Sequence, residues 1–150
     1  DARRGRVLRR RKSPKQGCLL DAFEDLIYFT QIFPHKRLSL ELIRVEIEEW
    51  RYPGHGRRRR HRANDYQIED QRLVEVLDVH RFRTAEDFQK LVPTHLPKPF
   101  HTGHLAERMQ IDRCMAQRIA YCLRNMGTVR QVGKQGNTRL YEFASRSRAA

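Results

Sequence analysis

Arg113, Gln117, Tyr121 and Arg124 recur at intervals of four, four and three residues, which places them along one edge of an α-helix. Their types suit nucleic acid. An arginine fork matches guanine or a phosphate, a glutamine amide matches adenine, and a tyrosine serves a backbone contact or stacking. Arg118 flanks the same edge. On the opposite side Met115, Ile119, Cys122, Leu123 and Met126 form an apolar stripe that must face a core. Every amphipathic helix has a polar face, so the edge gains meaning only from its setting.

That setting is specific in outline. Asp112 is suited to cap the helix, which runs from Arg113 to about Asn125, and Gly127 stops it. A shorter helix precedes it across a tight turn, with Thr102 as the expected N-cap of Gly103–Met109 and with Leu105 and Ala106 facing inward. The segment TVRQVGKQGNTRLYEF follows as a basic hairpin. Val129 and Leu140 suit its inner side, Gly133 and Gly136 supply turn freedom, Lys134 stands at the tip, and Arg130 and Arg139 lie on the strands. A small cationic loop of this kind meets a phosphate backbone or a minor groove. Upstream, Thr84 with Asp87 opens a short helix from Ala85 to Leu91, and Pro93, Pro97 and Pro99 bar regular structure as far as Phe100.

Charge points the same way. The 150 residues carry a net +13, of which residues 1–16 contribute +7 and residues 51–62 contribute +6. Residues 101–150 add +6, and the two remaining stretches together hold −6. Three basic regions around an acidic middle call for a polyanionic partner. Arg9, Arg10 and Arg11 in the first region, and Arg57, Arg58, Arg59 and Arg60 in the second, are candidate phosphate contacts. Such runs suit RNA or plain solubility as well as duplex DNA. No apolar run has the length of a membrane span and no signal peptide is visible, and three sparse cysteines suit a reducing cytoplasm. The first residue is Asp, so the chain is expected to be a piece of a longer protein or a trimmed one.

The front half has less chemistry and more architecture. Residues 1–16 lack hydrophobic periodicity and read as a flexible basic arm. Leu19, Phe23, Leu26 and Ile27 predict a helix over about 19–31, ended by Pro34. Residues 38–50 read as a strand whose apolar parity switches near Leu42, which implies a bulge or bend. A loop with Pro53, Gly54 and Gly56 separates it from a second strand over about 72–82, a run that a helix also fits.

Enzymatic chemistry has few candidates. Glu46, Glu48 and Glu49, with an upstream Asp21 or Asp25, are a carboxylate set that binds Mg²⁺ in nucleases, but the acid-x-Lys pattern of restriction nucleases is missing. A solvated strand face explains Glu46 and Glu48 equally. His101, His104, Cys114 and Cys122 crowd the turn, yet no C-x₂-C pair exists and Cys122 lies on the apolar stripe, so zinc is not expected. No phosphate-binding glycine loop, nucleophile elbow or triad stands out, and neither a cofactor nor a catalytic residue is assigned.

The segment FHTGHLAERMQIDRCMAQRIAYCLRNMGTVRQVGKQGNTRLYEF resembles the winged helix-turn-helix superfamily, over residues 84–143 when Thr84–Leu91 serves as the first helix. The resemblance implies that the helix after the turn enters the major groove, with Arg113, Gln117, Tyr121 and Arg124 reading bases and Lys134 in the wing. It also implies that a protein or RNA partner is possible, since many winged helices bind those. A dimer helix or ligand domain, which gene regulators of this kind often carry, is not evident. The front half resembles parts of uncharacterised prokaryotic proteins, which bring no function with them. The expectation is an α+β chain: a basic arm (1–16), a small α/β unit (17–83) with an arginine-rich loop (51–62), a winged helix-turn-helix (84–143) and a tail (144–150). Its expected role is duplex DNA binding in regulation or targeting. The alternatives are a protein- or RNA-binding adaptor and a metal-dependent nuclease.

Overall fold

The computed structural model describes residues 2–3, 6–7, 9–14, 16–53 and 66–144. They form mixed α and β structure in two compact units, one of Asp1–Gly17 with Ile43–Val79 and the other of Cys18–Leu42 with His80–Ala150. The division differs from the expected boundaries. Residues 18–42 belong with the C-terminal helices, not with the strands that follow them.

In the first unit, β1 (Ala2–Arg3) pairs antiparallel with β2 (Arg6–Val7), so the basic arm has local structure that its lack of periodicity concealed. Residues 9–14 are exposed. The two long strands, β3 (Leu40–Pro53) and β4 (Tyr66–Phe82), pair with each other as a two-stranded ribbon. Both outrun the expected strands, and the helical alternative for 72–82 does not occur. Cross-strand contacts give the direction. Glu41 pairs with Arg81, Arg44 with Asp78, and Glu49 accepts from Gln71 at 3.1 Å, so one number falls as the other rises and the strands are antiparallel.

Those contacts also join odd residues to odd and even to even. Period-two alternation then puts Ile43, Val45, Ile47, Leu73, Leu77 and Val79 on one face, and Arg44, Glu46, Glu48, Val74, Val76 and Asp78 on the other. The parity switch near Leu42 now has a cause. The strand runs on through it, and the switch falls where the chain passes from one unit to the other. Leu38, Leu40 and Leu42 pack against the helical core, whereas from Ile43 onward the opposite face becomes aliphatic.

The second unit holds the core. A single 3₁₀ turn (Leu19–Asp21) leads into α1 (Ala22–Leu26). The expected helix over 19–31 is cut short at Leu26, after which the backbone tightens into i→i+3 turns such as Phe29 N–H to Leu26 O at 2.9 Å. Tyr28, Phe29, Thr30 and Ile32 are weak helix formers, and the turns still bury Thr30 and Phe33. Phe88, on α2 (Ala85–Gln89), is the hub of an aromatic cluster. Phe82 stacks on it at 4.2 Å between ring centroids, and Phe23 and Phe33 meet it edge-on at 5.7 and 5.5 Å. Asp87 accepts from the amides of Thr84 and Arg83 and from the Lys90 ammonium, and these donors, Lys90 foremost, hold its carboxyl far below the usual range.

After the prolines, Phe100 exchanges two backbone hydrogen bonds with Tyr141 (2.9 and 2.7 Å), adding a one-residue rung to the hairpin β5 (Val129–Gln135) and β6 (Thr138–Phe143). Between the rung and the hairpin lie α3 (Thr102–Met109) and α4 (Arg113–Asn125), and α4 packs against α1, α2, α3 and β5.

Candidate nucleic-acid interface

Local sequence sets α4 in place. The Asp112 carboxylate accepts from the Met115 amide at 2.8 Å, as a helix cap should. At the other end Gly127 takes φ +83°, and Thr128 N–H reaches back to Leu123 O at 3.0 Å, a left-handed stop that favours glycine. Met115, Ile119, Cys122, Leu123 and Met126 are buried as the stripe requires, joined by Ala116 and Ala120. Burial pushes the Cys122 thiol up to about 12.

The start of α3 corrects the sequence reading. The cap is His101, not Thr102. Its Nδ1 accepts from the amides of Gly103 (3.0 Å) and His104 (3.3 Å), and His104 Nδ1 accepts from the His101 amide at 3.3 Å. The two rings stack at 3.7 Å. An Nδ1 acting as acceptor must be unprotonated. Desolvation first, then the nearby His104 and Arg113, lower the His101 pKa in accord with that role. No sequence rule places histidine among the preferred caps, so this function escaped notice. Gln110 closes α3 in a left-handed conformation (φ 55°), which makes the turn into α4 tight.

The polar edge of α4 divides into an open part and a closed part. Arg113, Gln117 and Tyr121 are exposed, as is Cys114 beside them. Arg124 is half-buried, and its guanidinium lies 5.8 Å from the Tyr121 ring centre. Arg118 is drawn away from the edge. Its Nη1 meets the Glu24 carboxylate of α1 at 2.9 Å, and about two helical turns further on Asn125 Nδ2 reaches Thr30 Oγ1 at 3.4 Å. Arg118, expected as a contact on the flank of this edge, is thus paired with an acid instead: α1 flanks α4, and Glu24 meets its guanidinium. Only knowledge of the α1–α4 packing reveals this, because 94 residues separate the partners.

The hairpin is cationic but arranged differently from expectation. Gln135 pairs with Thr138, so Gly136 and Asn137 form the tip, with Gly136 at φ +59°. Lys134 stands one rung below the tip, directly opposite Arg139. Both are exposed, and neither has an acidic partner among the described residues. Arg130 is held by Glu142 at 3.2 Å. A register shift between Gln131 and Gly133 turns Tyr141 inward (5% exposed), leaving Leu140, the expected inner residue, only half-buried.

The remaining candidates fall elsewhere. Arg9, Arg10 and Arg11 are exposed, with Arg10 3.7 Å from Glu48. Arg57, Arg58, Arg59 and Arg60 lie outside the described residues. Glu48 and Glu49 sit on opposite faces of the ribbon, and Glu49 is held by Arg51, which lowers its carboxyl pKa. Among the described residues no three His, Cys, Asp or Glu side chains gather as a metal site.

Geometry thus defines a basic α+β chain that carries a helix, a tight turn, a second helix and a cationic hairpin on one unit, and a long two-stranded ribbon on the other. Residues 1–83 match the family model described as "Domain of unknown function (DUF8091)", and the chain belongs to that family. It is similar to an "Uncharacterized protein" of Treponema pallidum (strain Nichols), at 28% identity over 132 residues. That alignment covers 87% of this chain, which spans 51% of the relative's length. No solved structure matches the chain. No helix among the described residues is long and apolar enough to cross a membrane.

Proposed function

We propose that the C-terminal half is a winged helix-turn-helix that binds duplex DNA, with α4 as the reading helix and the β5–β6 hairpin as the wing. The observation that carries this reading is the Lys134–Arg139 rung. Two like charges directly opposite each other on a hairpin cost stability, and a phosphate placed between them removes that cost. The order of elements supports it: α2, the Phe100 rung, α3, a tight turn, α4 and the hairpin. So does the exposure of Arg113, Gln117 and Tyr121, which can reach base edges in a groove. Arg9 and Arg11 add sequence-independent grip. The role is non-catalytic regulation or targeting.

The test is a salt titration of affinity for duplex DNA, single-stranded DNA and RNA, with Arg113→Ala and Gln117→Ala as companions. Duplex preference is expected, with sequence discrimination lost in the α4 variants and overall affinity lost in Lys134→Ala. Tighter binding to RNA than to duplex refutes the reading in favour of an RNA adaptor. Unchanged discrimination in both α4 variants removes α4 as the reading helix.

A further inference from the structure

The β3–β4 ribbon exposes more large aliphatic surface than the rest of the described chain. On its odd face Ile43, Val45, Ile47, Leu73, Leu77 and Val79 are between 41% and 57% exposed. The six form an apolar patch broken at Glu75, which stands between Leu73 and Leu77 on β4, and soluble chains normally cover aliphatic surface of this extent. The even face is mixed. It exposes Ile68, Val74 and Val76, but among Arg44, Glu46, Glu48 and Asp78, and Arg10 of the basic arm already meets it at Glu48. A two-stranded ribbon is also marginal alone, because both of its backbone edges lack a neighbouring strand among the described residues.

We infer that a second copy of this chain covers the odd face, the two ribbons stacking face to face as a homodimer. Two features of the face select this occupant. The first is charge. A molecule of net +13 repels its own copy almost everywhere, but here the aliphatic patch is bounded by the Glu41–Arg81 pair at one end and the Glu49–Arg51 pair at the other. Acid is matched by base at both ends, and between those pairs Glu75 is the one further charge, so stacking two copies adds no cationic repulsion. The same balance disfavours a polyanion at this face. The second is size. Covering six half-exposed aliphatic residues on each of two copies removes on the order of 1,000 Å² from water, the lower limit of specific interfaces. Two inner faces meeting at about 10 Å is ordinary sheet packing. The ribbon dimer is independent of whether α4 reads DNA.

The experiment is sedimentation equilibrium of the full chain, from about 1 to 100 μM on the scale where an interface of this size populates a dimer. Val45→Lys and Leu77→Lys are the disrupting variants. Val76→Lys, at a position of comparable exposure on the even face (50%), is the control, and circular dichroism confirms that each variant folds. A concentration-dependent dimer is expected, weakened at least tenfold by either odd-face lysine and retained in the control. A chain that stays monomeric throughout this range overturns the inference, as does a dimer that both odd-face variants leave intact or that the control disrupts equally. Duplex affinity measured on the same variants separates the two readings: a monomer that still binds duplex refutes only the dimer, and a dimer indifferent to duplex refutes only the DNA reading.

Discussion

Replacing Lys134 and Arg139 together by glutamine should make the chain more stable and a poorer ligand for duplex DNA. The two side chains face each other across one rung and are exposed, so their repulsion is screened by water and salt. Relief of a cross-strand like-charge pair of this kind contributes a few tenths of a kcal/mol. For a domain of this size that raises the melting temperature by about 1 °C at low salt, and by nothing measurable at high salt. Binding moves the other way. Each phosphate contact contributes about 0.9 to the slope of log affinity against log salt, so losing two contacts flattens the slope by about 1.8. Between 50 and 200 mM salt, the variant should then lose about 12-fold less affinity than the parent. Fluorescence anisotropy on a labelled duplex at four or five salt concentrations measures the slope, and a thermal melt without DNA measures the stability. An unchanged slope with the stability gain intact would show that the hairpin carries charge but touches no phosphate, and the wing reading would fall.

Three further outcomes follow from the geometry of α3 and α4. Asp112→Ala should cost about 1 kcal/mol of stability by leaving an amide of the first turn without its acceptor, read as a lowered denaturant midpoint. His101 has a folded pKa below its ordinary value of 6.5, so the unfolded chain binds its proton first. Its contribution is full above about 6.5 and is lost as pH falls through the lowered value, and His101→Asn should flatten stability over that window if urea melts are compared at pH 7.5 and 5. Among the cysteines, exposed Cys114 should alkylate readily while Cys122, buried and pushed up to about 12, resists. Saturating duplex should protect Cys114 but not Cys18, and equal protection of both, read by mass spectrometry, would argue against α4 as the contact surface.

What could be read from the residues was whatever local chemistry decides. The bounds of α4 follow from Asp112, the 3.6-residue stripe and Gly127, all acting within a few residues, and the structure reproduces them. The hairpin follows likewise from its glycines, although its rung order does not, because a one-residue shift near Val132 decides which of Leu140 and Tyr141 turns inward. The ribbon was legible as alternation but not as length. Features set by distant partners stayed hidden. Arg118 looked free because Glu24 is far off in sequence, and α1 looked longer because tertiary burial of Phe33 accepts a turn in place of a helix. His101 outranked Thr102 through ring geometry that propensity does not encode.

The four phenylalanines around position 88 bear on where this family's unit of folding ends. The family match stops at residue 83, five positions short of the ring against which Phe23, Phe33 and Phe82 close. A polypeptide cut at that border would leave three aromatic side chains facing water. In this protein, then, the segment that defines the family closes its aromatic cluster on a hydrophobic wedge drawn from the sequence that comes next.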